Sequence, residues 1–104
     1  MKKIINNKIY DTETADLIFE YRHSFAVQSV ILPKGYGFTE WEKAYIFKTK
    51  KGNYFKYFKY DDDYSYRDRE RIEETTIEEV KSIISQMDVD KYIELFGSIE
   101  LTEA

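Results

Sequence analysis

Residues 41–60, WEKAYIFKTKKGNYFKYFKY, decide the fold. Two runs of aromatic and β-branched residues flank Lys50-Lys51-Gly52, and this pattern predicts a hairpin with a three-residue loop and Gly52 in the left-handed region. On one face of the hairpin this register places Phe47 opposite Phe55. A slip of one residue would move every side chain to the other face, so we expect the Phe47 face to be the core and the lysine-bearing face to be partly wet. The remaining pairs are Tyr45 with Tyr57 on the core face, and Lys48 with Tyr54, Ile46 with Lys56 and Ala44 with Phe58 on the other.

The segments before this hairpin also favour strands. Residues 4–9 predict a smaller hairpin, because Asn6 and Asn7 tolerate the positive φ of a two-residue type I′ turn. Asp11 is a candidate N-cap for a short helical turn. Residues 25–32 predict a strand that ends at Pro33, and residues 34–37 predict a loop. For residues 16–22 the short apolar run leaves helix and strand both open.

The C-terminal third favours helices. After a possible further strand over residues 70–75, Thr76 and Glu79 form a capping-box pattern in which both side chains accept from otherwise unpaired amides. Apolar residues then recur at helical spacing, Asp88 is positioned to cap a second short helix, and Gly97 to end it. The first apolar stripe consists of Ile77, Val80, Ile83, Ile84 and Met87, and the second of Val89, Tyr92, Ile93 and Phe96.

Strands followed by helices predict an α+β fold, with a small, mostly antiparallel sheet and a C-terminal helix pair packed on it. The chain has 104 residues, which favours a single domain over residues 1–104. It has no cysteine, which excludes disulfides, a zinc ribbon and a cysteine nucleophile. Ten Tyr, seven Phe and one Trp supply large apolar groups for the core.

No apolar run approaches the roughly 18 residues that a membrane span requires. The first residues also lack the apolar stretch of a signal peptide. We therefore expect a soluble, cytoplasmic protein with no membrane partner.

Charge is divided unevenly along the chain. Residues 1–60 contain eleven Lys and Arg against six Asp and Glu, whereas residues 61–104 contain five against fourteen. Such asymmetry indicates a charged partner. The alternative is that the lysines only keep an aromatic hairpin soluble and prevent pairing at its edges.

The residue types needed for catalysis are sparse. His23 is the single histidine, and we interpret it as a surface or half-buried strand residue. No glycine-rich phosphate loop occurs. Asp61, Asp62 and Asp63 can in principle hold a hard cation, but consecutive aspartates point in different directions on an extended chain, which favours a solvated acidic turn. We therefore predict no enzyme activity and no cofactor.

The remaining candidates are binding residues. Lys48, Lys50, Lys51 and Lys56, with Tyr54 between them, match a single-strand nucleic-acid site in which cations follow phosphates and a ring stacks on a base. Arg67, Arg69 and Arg71 share one face if their segment is extended, and either bind phosphates or pair with neighbouring carboxylates. The acidic half can instead occupy a basic cleft on a nuclease, because carboxylates replace phosphates there.

Three segments resemble known proteins: residues 4–15 (IINNKIYDTETA) with Tyr21 after them, residues 48–55 (KTKKGNYF) and residues 88–97 (DVDKYIELFG). The first resembles a leader shared by small proteins of plasmids, phages and conjugative elements of low-GC Gram-positive bacteria. Some proteins with this leader are type II-A anti-CRISPR proteins. The resemblance implies a partner, either a type II CRISPR effector nuclease or its guide RNA, and supplies no catalytic residue.

The leading functional hypothesis is therefore an anti-CRISPR protein that blocks assembly or target binding of the nuclease. The alternative is a non-enzymatic module of a mobile element that binds single-stranded nucleic acid. A ribonuclease acting on guide RNA ranks below both, because the usual pair of His or Lys residues is missing. The candidate partner-binding residues are Lys48, Lys50, Lys51, Tyr54, Lys56, Asp61, Asp62, Asp63, Arg67 and Arg69.

Overall fold

A computed structural model describes residues 1–28, 37–60, 70–99 and 101–104. In these residues six strands precede two helices. The strands are β1 (Lys2–Ile5), β2 (Lys8–Asp11), β3 (Asp16–Gln28), β4 (Gly37–Lys48), β5 (Tyr54–Tyr60) and β6 (Arg71–Thr75). The helices are α1 (Ile77–Met87) and α2 (Val89–Phe96).

The strands form two antiparallel sheets. β1 and β2 pair as a separate hairpin, and the larger sheet has the order β3-β4-β5-β6. Each strand of the larger sheet therefore lies beside its neighbour in sequence, as expected for strands joined by hairpin connections. Together with the two C-terminal helices, this arrangement confirms the predicted α+β fold.

Turn residues set the register of both hairpins as predicted. Asn6 and Asn7 have φ values of 52° and 63°, and Ile5 pairs with Lys8 across them. Gly52 has a φ of 89°, a value that L side chains adopt only with strain. Beyond it, all five predicted pairs of β4 with β5 occur, from Lys48 opposite Tyr54 to Ala44 opposite Phe58.

The described residues before β4 form strands and turns. Residues 16–22 belong to β3, which settles the open choice between helix and strand, and β3 contains a bulge between Leu17 and Phe19. Asp11 caps a single turn, as predicted: its Oδ1 accepts from the amide of Glu13 at 2.9 Å, and its carbonyl oxygen accepts from the amide of Ala15 at 3.1 Å. The predicted strand over 25–32 is confirmed as far as Gln28. Its predicted end at Pro33 and residues 34–36 of the predicted loop lie outside the described residues, and residue 37 begins β4.

Apolar side chains are buried on both faces of the larger sheet. On one face Phe47 stacks on Phe55, with 5.1 Å between ring centroids, and the β1–β2 hairpin covers them with Tyr10. On the other face Ile46 packs against α1 and α2. The second face is therefore partly wet, as expected: Lys48 is exposed, whereas the helix pair covers the face around Ile46.

Polar side chains begin and end the helices. The Thr76 hydroxyl accepts from the amide of Glu79 at 3.2 Å, and Asp88 accepts from the amide of Lys91 at 3.0 Å. Gly97, with a φ of 80°, ends α2 as predicted. The second half of the capping box does not form, because the Glu79 carboxylate accepts from Thr75 and Lys56 instead. Neither described helix is long and apolar enough to cross a membrane.

Candidate binding surfaces

Lys56, one of the predicted partner-binding lysines, lies beneath α1. Its side chain is only 12% exposed, and its ammonium group donates to the carboxylate of Glu79. The hydrogen bond from Lys56, assisted by a second from Thr75, lowers the pKa of Glu79. Tyr54, which lies on the same face, is partly buried against the same helix-covered core. These two side chains therefore hold α1 on the sheet rather than presenting an open surface.

The other three lysines of the predicted site are exposed, and they have different neighbours. Lys50 donates to Asp16 Oδ1 at 2.9 Å, and both side chains are largely exposed. The ammonium nitrogen of Lys48 lies 5.7 Å from the centroid of the Tyr54 ring. Lys51 forms no ion pair with any residue in the described ranges. The predicted site is thus divided: Lys56 is mostly buried and paired, Lys50 is exposed and paired, and Lys48 and Lys51 are exposed without an ion pair to a described residue.

The acidic and arginine candidates between β5 and β6 fall on residues 61–69. Asp61, Asp62, Asp63, Arg67 and Arg69 lie outside the described residues. Their neighbour Arg71 begins β6. Its guanidinium pairs with carboxylates, which is one of the two predicted alternatives, the other being phosphate binding.

The most buried charge in the described part of the chain is Glu42, which the sequence analysis did not single out. Its side chain is 1% exposed, and it accepts two hydrogen bonds of 2.8 Å from Arg71. Arg71 reaches it across β5, with its guanidinium carbon 4.0 Å from the centroid of the Phe58 ring, and also donates to Glu73 at 2.9 Å. The hydrogen bonds that Arg71 donates to Glu42, followed by the one that it donates to Glu73, raise the pKa of Arg71.

A periodic signal for this pair exists in the sequence. A spacing of two residues places Glu42, Ala44 and Ile46 on the same side of β4, the side that faces the helices. A carboxylate at that position requires a cation nearby, because an unpaired buried charge is costly. His23 also lies close, with Nε2 3.9 Å from Glu42 Oε1, and it is half-buried as expected. Both oxygens of Glu42 are engaged, so the cluster ties three strands together.

A second polar cluster fastens the small hairpin to β6. The Tyr10 hydroxyl donates to Glu74, and Asn6 Nδ2 lies 2.6 Å from the same carboxylate. Burial, followed by the contact with Glu74, raises the pKa of Tyr10 to about 12. The hydrogen bond from Tyr10 in turn lowers the pKa of Glu74.

The helical end carries an open acidic surface. Residues 70–104 contain ten Asp and Glu against three Lys and Arg. Glu78, Asp88 and Asp90 are exposed, and none of them forms an ion pair with a described residue. Glu94 is paired with Lys91 at 3.4 Å. Within the described ranges no group of three or more His, Asp or Glu side chains is placed to hold a metal ion.

Comparisons with protein-family models, with curated proteins and with solved structures gave no match to this chain.

Proposed function

We propose that the protein is a non-enzymatic inhibitor of a type II RNA-guided nuclease, and that its acidic helical end makes the contact. The observation that carries this proposal is the state of the charges. Lys50 and Lys56 are already paired with the protein's own carboxylates, whereas Glu78, Asp88 and Asp90 are not paired within the described residues. The helical end therefore offers a partner three exposed carboxylates that have no ion pair within the described residues.

The physical basis is competition for a basic surface. A nuclease that holds RNA and DNA presents Lys and Arg to phosphates, and carboxylates on a rigid helix pair satisfy the same cations. Binding there blocks assembly with guide RNA or entry of target DNA. Residues 4–15 resemble a leader of small mobile-element proteins, some of which are type II-A anti-CRISPR proteins, and this resemblance supports the choice of partner.

The direct test mixes the purified protein with nuclease and guide RNA, then measures complex formation by gel filtration and cleavage of a target duplex. We expect the protein to co-elute with the nuclease, cleavage to fall, and the guide RNA to keep its full length. Raising the salt concentration should weaken the complex, because the contact is electrostatic. Unchanged cleavage with several related nucleases would overturn the proposal.

Neutralising variants locate the contact. Glu78→Gln with Asp90→Asn removes two charges from the helical surface, and Glu13→Gln with Glu20→Gln removes two from exposed positions elsewhere. We expect the first variant to inhibit less well and the second to inhibit like the original protein. An equal loss of inhibition in both variants would show that net charge, rather than the helical surface, determines binding, and full inhibition by both would overturn the helical surface as the contact.

The alternative function is direct binding of single-stranded nucleic acid, which the exposed side chains of Lys48 and Lys51 favour. It requires affinity for RNA or DNA in the absence of any nuclease, falling steeply with salt. Lys48→Glu with Lys51→Glu should then abolish binding. Retained affinity in this variant would dismiss the exposed lysines as a nucleic-acid site.

A further inference from the structure

A groove of about 450 Å³ runs along the outer side of the helix pair. Glu78, Ser82 and Ser85 line it from α1, at a spacing that places them opposite Val80 and Ile84, which face the sheet. Val89 of α2 and Leu101 of the C-terminal segment line the other side. The groove therefore lies on the same helical end that carries the unpaired carboxylates.

The groove is open, and the aliphatic side chains in its lining are exposed. Val89 is 61% exposed and Leu101 is 45% exposed, although both are aliphatic side chains. The serines are small, and the Ser85 hydroxyl donates to the Ser82 carbonyl at 2.9 Å within the helix. The exposed aliphatic side chains and the small serines therefore form a channel that favours contact with apolar groups.

Three carboxylates, here called the acidic rim, lie in the lining of the groove or beside Val89 in the sequence. Glu78 lies in the first turn of α1, while Asp88 and Asp90 lie where α1 gives way to α2. Lys81 also lines the groove, with its ammonium nitrogen 5.4 Å from the centroid of the Phe96 ring. An occupant of the groove therefore meets Glu78 and Lys81 in its lining, and approaches Asp88 and Asp90 where it covers Val89.

We propose that this groove binds a basic amphipathic helix of a partner protein, with its apolar side chains on Val89 and Leu101 and its Lys or Arg residues against the acidic rim. Glu78 and Ser85 are seven residues apart, or about 10 Å along α1. Two turns of a helix cover that length and present apolar residues at positions i, i+3 and i+4. Three carboxylates against one lysine favour a cationic occupant over a nucleic acid.

The inference rests on the proposed function in one respect: the nuclease is the protein expected to supply the helix. It deepens that proposal, because it assigns the contact to an apolar groove as well as to charge. A purely electrostatic contact would tolerate a polar residue at position 89, whereas this groove does not.

The first experiment uses the full chain and a fluorescein-labelled 14-residue peptide of Leu, Ala and Arg with the leucines on one helical face, measured by fluorescence anisotropy. Two control peptides replace Arg with Glu or scramble the order so that the leucines no longer share a face. We expect binding of the amphipathic basic peptide alone. Equal binding of the scrambled peptide would overturn the proposal that the groove binds a helix, because it would show that the positive charge of the peptide alone determines binding.

Matched variants assign the binding to the groove. Val89→Lys should weaken binding of the peptide about tenfold, the loss expected for one aliphatic contact and an unfavourable charge. Ile9→Lys makes the same kind of change at a side chain that is 68% exposed on the β1–β2 hairpin, and should bind like the original protein. Thermal melting of both variants checks that the fold is retained. Equal affinity of the two variants for the peptide would overturn the proposal.

The same variants in the nuclease assay separate the two proposals. Loss of inhibition in Val89→Lys alone supports both. Full inhibition by Val89→Lys would overturn the proposal that the groove contacts the nuclease, while the proposed inhibitor function would be retained. Peptide binding that depends on Val89, without inhibition by the original protein, would overturn the inhibitor function and support the groove as a site for basic helices.

Discussion

Arg71 of β6 donates two parallel hydrogen bonds, each 2.8 Å long, to Glu42 of β4, and it crosses the ring of Phe58 on β5 to do so. Three strands are thus joined by one side chain. The two partners differ in their surroundings, because Glu42 is 1% exposed and Arg71 is 34% exposed. Arg71 also has Glu73 as a second partner.

This asymmetry predicts unequal costs for removing the two partners. Arg71→Ala leaves a buried carboxylate without its guanidinium, and we expect a loss of about 3–5 kcal/mol in the free energy of unfolding. Glu42→Gln leaves Arg71 with Glu73 and with access to water, so we expect about 1–3 kcal/mol. Urea unfolding of both variants measures the difference. A larger loss for Glu42→Gln than for Arg71→Ala would contradict this account of the pair.

Lys56 and Lys51 provide a second contrast, between a lysine under α1 and a lysine in the hairpin loop. Lys56→Gln replaces the charge–charge contact with Glu79 by a neutral group at a mostly buried position, and should lower stability by about 1–3 kcal/mol. Lys51→Gln alters an exposed side chain, and should change stability by less than about 0.5 kcal/mol. Denaturant midpoints of the two variants test the assignment. Equal midpoints would show that Lys56 does not help to hold α1 on the sheet.

The sequence predicts the strand register well because local residues determine it. Gly52 and the Asn6-Asn7 pair restrict their turns, and each turn then sets every pair along its strands. The helix ends are equally local, since Thr76, Asp88 and Gly97 act within three or four residues. Interactions of this range can be identified from residue type and spacing.

The contacts that define the surfaces are not local. Lys56 meets Glu79 across 23 positions, and Arg71 meets Glu42 across 29. A lysine in a strand is ordinarily exposed, so its residue type gives no sign of a helix above it. The groove at Val89 depends on how α1, α2 and the C-terminal segment meet, which helical spacing alone does not predict.

Acid should weaken the fold through Glu79 and Glu74. Hydrogen bonds, chiefly from Lys56 to Glu79 and from Tyr10 to Glu74, lower the pKa of each carboxyl from its ordinary value of 4.5. A carboxyl with a lowered pKa in the folded state stabilises the protein above its ordinary pKa, and this contribution is lost as the pH falls through the folded value. Stability should therefore decline below about pH 4.5.

Glu79→Gln with Glu74→Gln tests that contribution. The variant should be less stable than the original protein near neutral pH, and the difference should shrink as the pH falls from about 6 to about 3. Urea midpoints across this range are the measurement. A difference that stays constant with pH would mean that the two carboxyls act by packing and not by charge.

Alkali should weaken the fold through Tyr10 and Tyr21. Burial raises the pKa of each phenol from 10.0 to about 12, assisted by Glu74 at Tyr10 and by Glu79 at Tyr21. A raised phenol pKa means that the unfolded chain releases its proton first. The stabilisation is complete below pH 10, and it is lost as the pH rises through about 12.

Phenolate absorbance at 295 nm should accordingly show a late component that Tyr10→Phe and Tyr21→Phe each reduce. In the double variant the decline in stability between these two pH values should be shallower than in the original protein, because two of the groups that drive it are gone. An unchanged late component in the double variant would show that other tyrosines are responsible.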